Sequence, residues 1–326
     1  MTKVNHPQMI PVPIQDFLSG VIVPVNLYVK LNDNKFILVS KAGNKTNREQ
    51  IKTYEDKTVE YLWVKRADYA LFARNNMTIA GVIVTQNNLN VSQKSQVLGQ
   101  AASTVFLELE HAGMGFETYS HSKQIVEATV ALTENHRDLS DLLLGLKECS
   151  DELLRHSLAV SYVSILIAHT LGWENKQTLE KLTLGALLHD IGLKVLPPDI
   201  IAKPKGRMTY EENLQYEQHP YKGMQMLLSL GIVPDDVIAI VYEHHENAIG
   251  QGYPRKLRNI KIHPLAKVVA LADEFCNLTM KNPNCPVPKS PREALLTIEH
   301  TMGQPHNKEA FRALQLVVNK EFARSA

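Results

Sequence analysis

The sequence predicts an α+β protein: a small N-terminal α/β module followed by an all-α helical bundle. Short runs rich in β-branched and aromatic residues are confined to the stretch before residue 66. From Gly81 onward, apolar residues recur at three- and four-residue spacing. Helix punctuation then recurs along the chain, at Asn87-Asn88, Gly113-Met114-Gly115 and Pro197-Pro198.

In the N-terminal module, Val25 to Leu31 and Lys35 to Val39 read as strands flanking the turn Asn32-Asp33-Asn34. The polar stretch Thr46 to Tyr54 has helical character. Glu60 to Lys65 reads as a third strand, followed by a short helix through Tyr69, Leu71 and Phe72. Helices are predicted near 93–111, 119–146 and 151–171. Leu158 to Trp173 is the most apolar of these, but Ser161, Ser164, His169 and Thr170 interrupt it and it is short for a bilayer, so it is a core helix. A further helix should end at Gly192, whose freedom at positive φ suits a C-terminal stop. Thr209-Tyr210-Glu211-Glu212 has capping-box spacing and should open the helix that presents His219. Pro234 and Pro264 fit first helical turns. The expected organisation is a small regulatory α/β domain over 1–90, a helical linker or start of the bundle over 91–148, and a metal-binding helical domain over 149–326.

Composition narrows the function classes. With 326 residues, 44% hydrophobic and 21% charged, the chain has an ordinary globular make-up. Lys+Arg 35 against Asp+Glu 34 leaves a net charge of +1, which argues against DNA binding and leaves a nucleotide to be caught by a local pocket. Cys149, Cys276 and Cys285 are too scattered for a disulfide framework and fit a reducing cytoplasm. The N-terminus lacks the layout of a signal peptide, and no membrane span is expected.

The most telling residues are His189-Asp190, set in the apolar run Leu187 to Gly192. A buried aspartate is costly unless paired or bound to metal. His156 lies one turn beyond Glu152 on a predicted helix, and His219-Pro220, His244-His245 and Asp273 follow in further core-like helices. Imidazole and carboxylate without thiolate suit zinc, iron or manganese, and bundle cores commonly hold such sites. Two metals about 3.5–4 Å apart can bridge a hydroxide and clamp a phosphoryl oxygen. His6, His111, His121, His136, His263, His300 and His306 read as core or surface residues, as does His169, which has no carboxylate companion.

Over roughly residues 150–315 the sequence resembles the HD-GYP subgroup of HD-domain metal-dependent phosphohydrolases. The resemblance rests on Leu188 to Gly192, Pro198 to Pro204, His219-Pro220-Tyr221-Lys222-Gly223, His244-His245-Glu246 with Gly250-Gln251-Gly252-Tyr253-Pro254, and Ala270 to Asp273. It implies a cytoplasmic bacterial phosphodiesterase that hydrolyses cyclic di-GMP to pGpG or GMP, with an HD-type helical bundle and two or three metal ions, iron first and manganese second. By position, His156, His189, Asp190, His219, His244, His245 and Asp273 match the metal ligands, with Asp190 bridging, and Glu152 matches a carboxylate used for a third metal. The Gly-Tyr-Pro loop should shape the pocket mouth, and Tyr253 offers a ring for guanine or a packing anchor.

Three departures bear on catalysis. The family lysine three residues after the aspartate is Leu193 here, and Lys194 comes one residue late, turned by about 100°. The family Asp-Ala is replaced by Cys276-Asn277, and Arg-Pro-Tyr by Asn282-Pro283-Asn284. Lys194 is the remaining catalytic candidate there, while Lys203, Lys205, Arg207, Lys222 and Arg255 are candidates for the substrate's phosphates. Cys276 reads as a buried small hydrophobe. The departures keep a second function open: a degenerate member that binds metal and ligand but acts as a sensor, its Gly-Tyr-Pro loop meeting a signalling protein. The helices of 93–146 are compatible with a homodimer as well as with packing inside one chain.

Overall fold

The computed structural model describes residues 8–18, 20–33, 35–45, 53–54, 59–147, 149–301 and 307–325. Four strands, β1 (Met9–Pro13), β2 (Leu27–Asn32), β3 (Lys35–Ser40) and β4 (Tyr61–Lys65), form an antiparallel sheet in the order β1-β4-β2-β3. The expected hairpin is present, with Val29 opposite Ile37, while Asn34 of its turn lies outside the described residues. Of the helical stretch expected from Thr46 to Tyr54, only Thr53 and Tyr54 are described, and both are helical. β1 was not expected from the sequence. Pro11 and Pro13 disguise it, yet both are tolerated because β1 is an edge strand that needs few backbone donors.

The helices are α1 (Tyr69–Val84), α2 (Val91–Ala112), α3 (Phe116–Asn135), α4 (Leu139–Leu144), α5 (Glu152–Thr170) and α6 (Lys176–Leu188), followed by the short α7 (Pro198–Ile201). Then come α8 (Tyr210–Tyr216), α9 (His219–Leu228), α10 (Asp235–Glu243), α11 (Pro264–Thr279), α12 (Pro291–Thr301) and α13 (Lys308–Ser325). The helix expected over 119–146 is two helices, α3 and α4. Contacts divide the chain into a unit of 1–128 with 145–154 and a unit of 129–144 with 155–326. In the first, Ile10, Val12, Leu27, Leu62, Val64 and Phe72 make the core. In the second, every residue of α5 from Leu158 to Ala168 is buried, the serines Ser161 and Ser164 included, because this stretch is surrounded by protein. No helix among the described residues is long and apolar enough to cross a membrane.

Two expectations about helix ends are corrected. The helix expected to reach Gly192 stops at Leu188, and Ile191–Val195 forms a 3-10 turn. Gly192 does not adopt positive φ; it is needed for close approach instead, since a Cβ there would collide with the His219 carbonyl of α9. The capping box at Thr209 and Glu212 does form, but it opens α8, which ends before His219. Pro220 explains the break. It has no N–H to donate to the Tyr216 carbonyl, so one helix cannot run through, and His219 becomes the first residue of α9. Pro234 sits just before α10, as its N-cap, and Pro264 begins α11.

Gly192→Ala should therefore destabilise the helical unit by overpacking, by about 1–3 kcal/mol. A lowered urea midpoint in circular dichroism would register it; an unchanged midpoint would show that the contact yields without strain.

Candidate metal centre

Helix boundaries and two helix interiors together deliver the candidate ligands. His189, which keeps helical backbone angles just past the end of α6, and Asp190, which leaves them, both reach the same site. His244-His245 similarly follow the end of α10, with their rings 4.2 Å apart. His156 comes from α5, His219 from the start of α9 and Asp273 from α11.

These seven residues form two groups of donor atoms: His156, His189 and Asp273, and Asp190, His219, His244 and His245. Within each group the donors lie within 4.8 Å of one another. Asp190 stands between them. Its Oδ2 is 3.3 Å from His189 Nε2, while its Oδ1 is 3.1 Å from His219 Nε2 and 3.4 Å from His244 Nε2. Asp273 Oδ1 lies 2.8 Å from His156 Nε2, and its Oδ2 3.9 Å from His245 Nδ1. Glu152 belongs to neither group.

Three imidazoles are fixed in the same tautomer. Nδ1 of His189 donates to the Ala186 carbonyl at 2.7 Å, that of His219 to Tyr216 at 2.8 Å, and that of His244 to Val241 at 2.9 Å. The Tyr216 carbonyl is the one that Pro220 left free. With Nδ1 protonated, each neutral ring turns an Nε2 lone pair inward. His219 Nε2 and His244 Nε2 then face each other at 3.3 Å, and both face a carboxylate oxygen. Acceptors converge on acceptors in a site where His189 and His219 are fully buried. His189 Nε2 and Asp190 Oδ1 make no hydrogen bond. Buried unsatisfied acceptors are costly, and cations between the two groups remove that cost. The residues present thus fit bound metal.

Without a cation the site draws a proton instead: burial works against an imidazolium at His189, but Asp190 and Asp273 outweigh it and hold its pKa well above the usual value, so a proton on Nε2 stands in for the positive charge the carboxylates call for. Burial, followed by neighbouring positive charge, keeps His245 well below the ordinary histidine range, and His244 is lowered chiefly by burial. Burial alone would raise Asp190 and Asp273, yet the surrounding imidazoles hold both ionised. Cys276 is buried, and burial pushes its thiol well up, so it is no ligand but a small hydrophobe.

Around this centre the signature loop is pinned by carboxylates. Glu246 accepts the Arg255 and Leu257 backbone N–H groups at 2.6 and 2.7 Å. Glu243 accepts the His263 N–H and an Arg255 Nη1–H. A Cβ at Gly252 would strike the His245 carbonyl, and the Tyr253 ring lies 4.6 Å from that of His245. Sequence reasoning missed Glu243 and Tyr216, and quoted Glu246 in the signature without giving it a role. It noted Asn277 only as a departure, yet Asn277 Nδ2 donates to Asp273 Oδ1 at 2.8 Å. Its place four residues after Asp273 on one helix was the available signal.

The basic candidates divide. Lys203 pairs with Glu212, and Arg255 with Glu243. Lys205 lays its ammonium over the rings of Tyr216, at 4.8 Å, and Tyr253, at 5.8 Å. Leu193, where the family lysine was sought, is buried, and Lys194 beside it is half-buried. Lys222 is half-buried on α9, and Arg207 is exposed.

The HD-domain family model matches residues 129–307, and the chain belongs to that family. It is 32% identical over 171 residues to the cyclic di-GMP phosphodiesterase PA4108 of Pseudomonas aeruginosa, covering 52% of this chain and 41% of that protein. It is 33% identical over 192 residues to a cyclic di-GMP phosphodiesterase of Thermotoga maritima, covering 56% and 50%. The matched stretch thus spans half or less of those relatives. Bd1817, a HDG"Y"P protein from Bdellovibrio bacteriovorus, shares the fold with a TM-score of 0.74 at 22% identity, covering 95% of this chain and 99% of that one.

Asn277→Ala should weaken metal affinity roughly 10- to 100-fold, as loss of an outer-shell donor commonly does. Competition with a chelator reads this directly, and an unchanged affinity would mean that Asp273 needs no orientation from Asn277.

Proposed function

We propose that the chain is a metal-dependent phosphodiesterase hydrolysing cyclic di-GMP to pGpG or GMP. The observation that carries this reading is the pair of imidazole–carboxylate groups sharing Asp190, found in an HD domain whose named relatives are cyclic di-GMP phosphodiesterases. His156, His189 and Asp273 would hold one ion and His219, His244 and His245 the other, with Asp190 placed to serve both. Iron is the first candidate and manganese the second. Glu152 is the candidate for a third ion. When bound, the two ions supply activated water and neutralise charge developing on phosphorus. The protein's own part is to hold the Nε2 lone pairs inward, keep both aspartates ionised and close one side with the Tyr253 loop. Lys194 stands on the turn after Asp190 as a candidate for the scissile phosphate, and Lys203, Lys205, Lys222 and Arg255 are the wider substrate candidates. The N-terminal unit is read as regulatory and the location as cytoplasmic.

A second reading has its own support. Leu193 is buried, and Asn282 and Asn284 replace a cation and a phenol. A centre lacking these holds metal while turning over slowly, and the protein then acts as a sensor through the Gly-Tyr-Pro loop or a homodimer.

The deciding assay is hydrolysis of cyclic di-GMP by anaerobically iron- or manganese-loaded protein, with products separated by chromatography. Formation of pGpG or GMP, lost when His189→Ala and Asp190→Ala are combined, is the expected result. A fully metallated sample that yields no product would favour the sensor reading.

A further inference from the structure

The positions that depart from the family pattern are joined to one another. Asn277 Nδ2 donates to Asp273 Oδ1 at 2.8 Å, and the Asn277 carbonyl accepts from Asn282 Nδ2 at 2.8 Å. Asn282 Oδ1 in turn accepts the Asn284 N–H at 2.9 Å and the Cys285 N–H at 2.9 Å. Asn284 Oδ1 then accepts the Lys205 N–H at 2.7 Å. Three asparagines therefore form a ladder from a ligand of the metal centre to the backbone of Lys205.

Lys205 is also the basic residue best placed to face a ligand. Lys203 and Arg255 are held by carboxylates, whereas Lys205 makes no direct ion pair among the described residues, although its charge is felt by the half-buried Glu274. Its ammonium rests on Tyr216 and Tyr253. Those rings lie 5.1 Å from His219 and 4.6 Å from His245. The cation is thus one aromatic ring away from two residues of the metal centre, exposed at its rim and reachable by an anion. An ammonium held against aromatic faces keeps its charge and all three donors.

We propose that Lys205 is the cation that grips a non-bridging phosphate oxygen of the substrate in place of the missing family lysine and arginine. Asn284 is its positioning residue, and the ladder through Asn282 and Asn277 keeps the 203–207 loop in register with Asp273. The residues Asn282-Pro283-Asn284 thus exchange a direct hold on substrate for an indirect one. This inference rests on the phosphodiesterase reading for its substrate but not for its ligand chemistry, which is any phosphate ester or phosphate ion at the metal centre.

The test measures binding to the manganese-loaded full chain by calorimetry, with inorganic phosphate and cyclic di-GMP as separate probes and metal content determined in parallel. Lys205→Met should leave metal content unchanged and weaken phosphate binding about tenfold, the usual weight of a charge-assisted hydrogen bond. Asn284→Ala should weaken it roughly two- to tenfold, and Asn284→Asp, which keeps the acceptor, should restore it. Unchanged binding in Lys205→Met would overturn the proposal, and so would an Asn284→Asp variant no better than Asn284→Ala for the positioning role. If the wild type binds phosphate but not cyclic di-GMP, the substrate reading fails while the Lys205 result still stands. A metallated wild type that binds neither probe overturns both.

Discussion

A single carboxylate, Asp190, faces two sets of imidazoles at once, one oxygen toward each. Burying that charge is costly unless it is compensated, so the surrounding helices are organised to bring compensation from both sides. Helix boundaries serve it: α6 ends before His189, α8 ends before His219 and α10 ends before His244, while His156 and Asp273 come from within α5 and α11.

The backbone sets the chemistry of the ligands as well as their place. Carbonyls three residues back take the Nδ1 protons of His189, His219 and His244 and thereby direct the Nε2 lone pairs. Fixing a tautomer through the second ring nitrogen is the usual way a protein prepares a histidine ligand. For His219 the carbonyl is available only because Pro220 cannot occupy it. The carboxylates flanking the histidine doublet, Glu243 and Glu246, are spent on backbone N–H groups and Arg255, which folds the Gly-Tyr-Pro loop against His245. Structure and site are here the same set of hydrogen bonds.

Much of this was legible in the sequence, for identifiable reasons. The seven residues that gather at this centre were legible as a group because charged and imidazole side chains inside apolar helical runs have few other uses. The hairpin was legible from its alternation and turn residues. β1 was not, since Pro11 and Pro13 suppress the strand signal and only its edge position excuses them. The end of α6 and the separation of α8 from α9 were misread because Gly192 and Pro220 act through contacts with other elements, Gly192 by its closeness to α9 and Pro220 by the carbonyl it leaves free. Asn277, Asn282 and Asn284 were visible only as departures from a pattern. Their meaning lies in a chain of hydrogen bonds that ends on Lys205, a residue 79 positions from Asn284, and no local periodicity encodes that.

The central claim is that the buried histidines and aspartates form one centre for two cations with Asp190 between them. Anomalous X-ray scattering from crystals of the manganese-loaded protein tests it most directly. The account predicts two peaks about 3.5–4 Å apart, one among His156, His189 and Asp273, the other among His219, His244 and His245, with an Asp190 oxygen toward each. A single peak in one group, or metal bound away from Asp190 altogether, would contradict it.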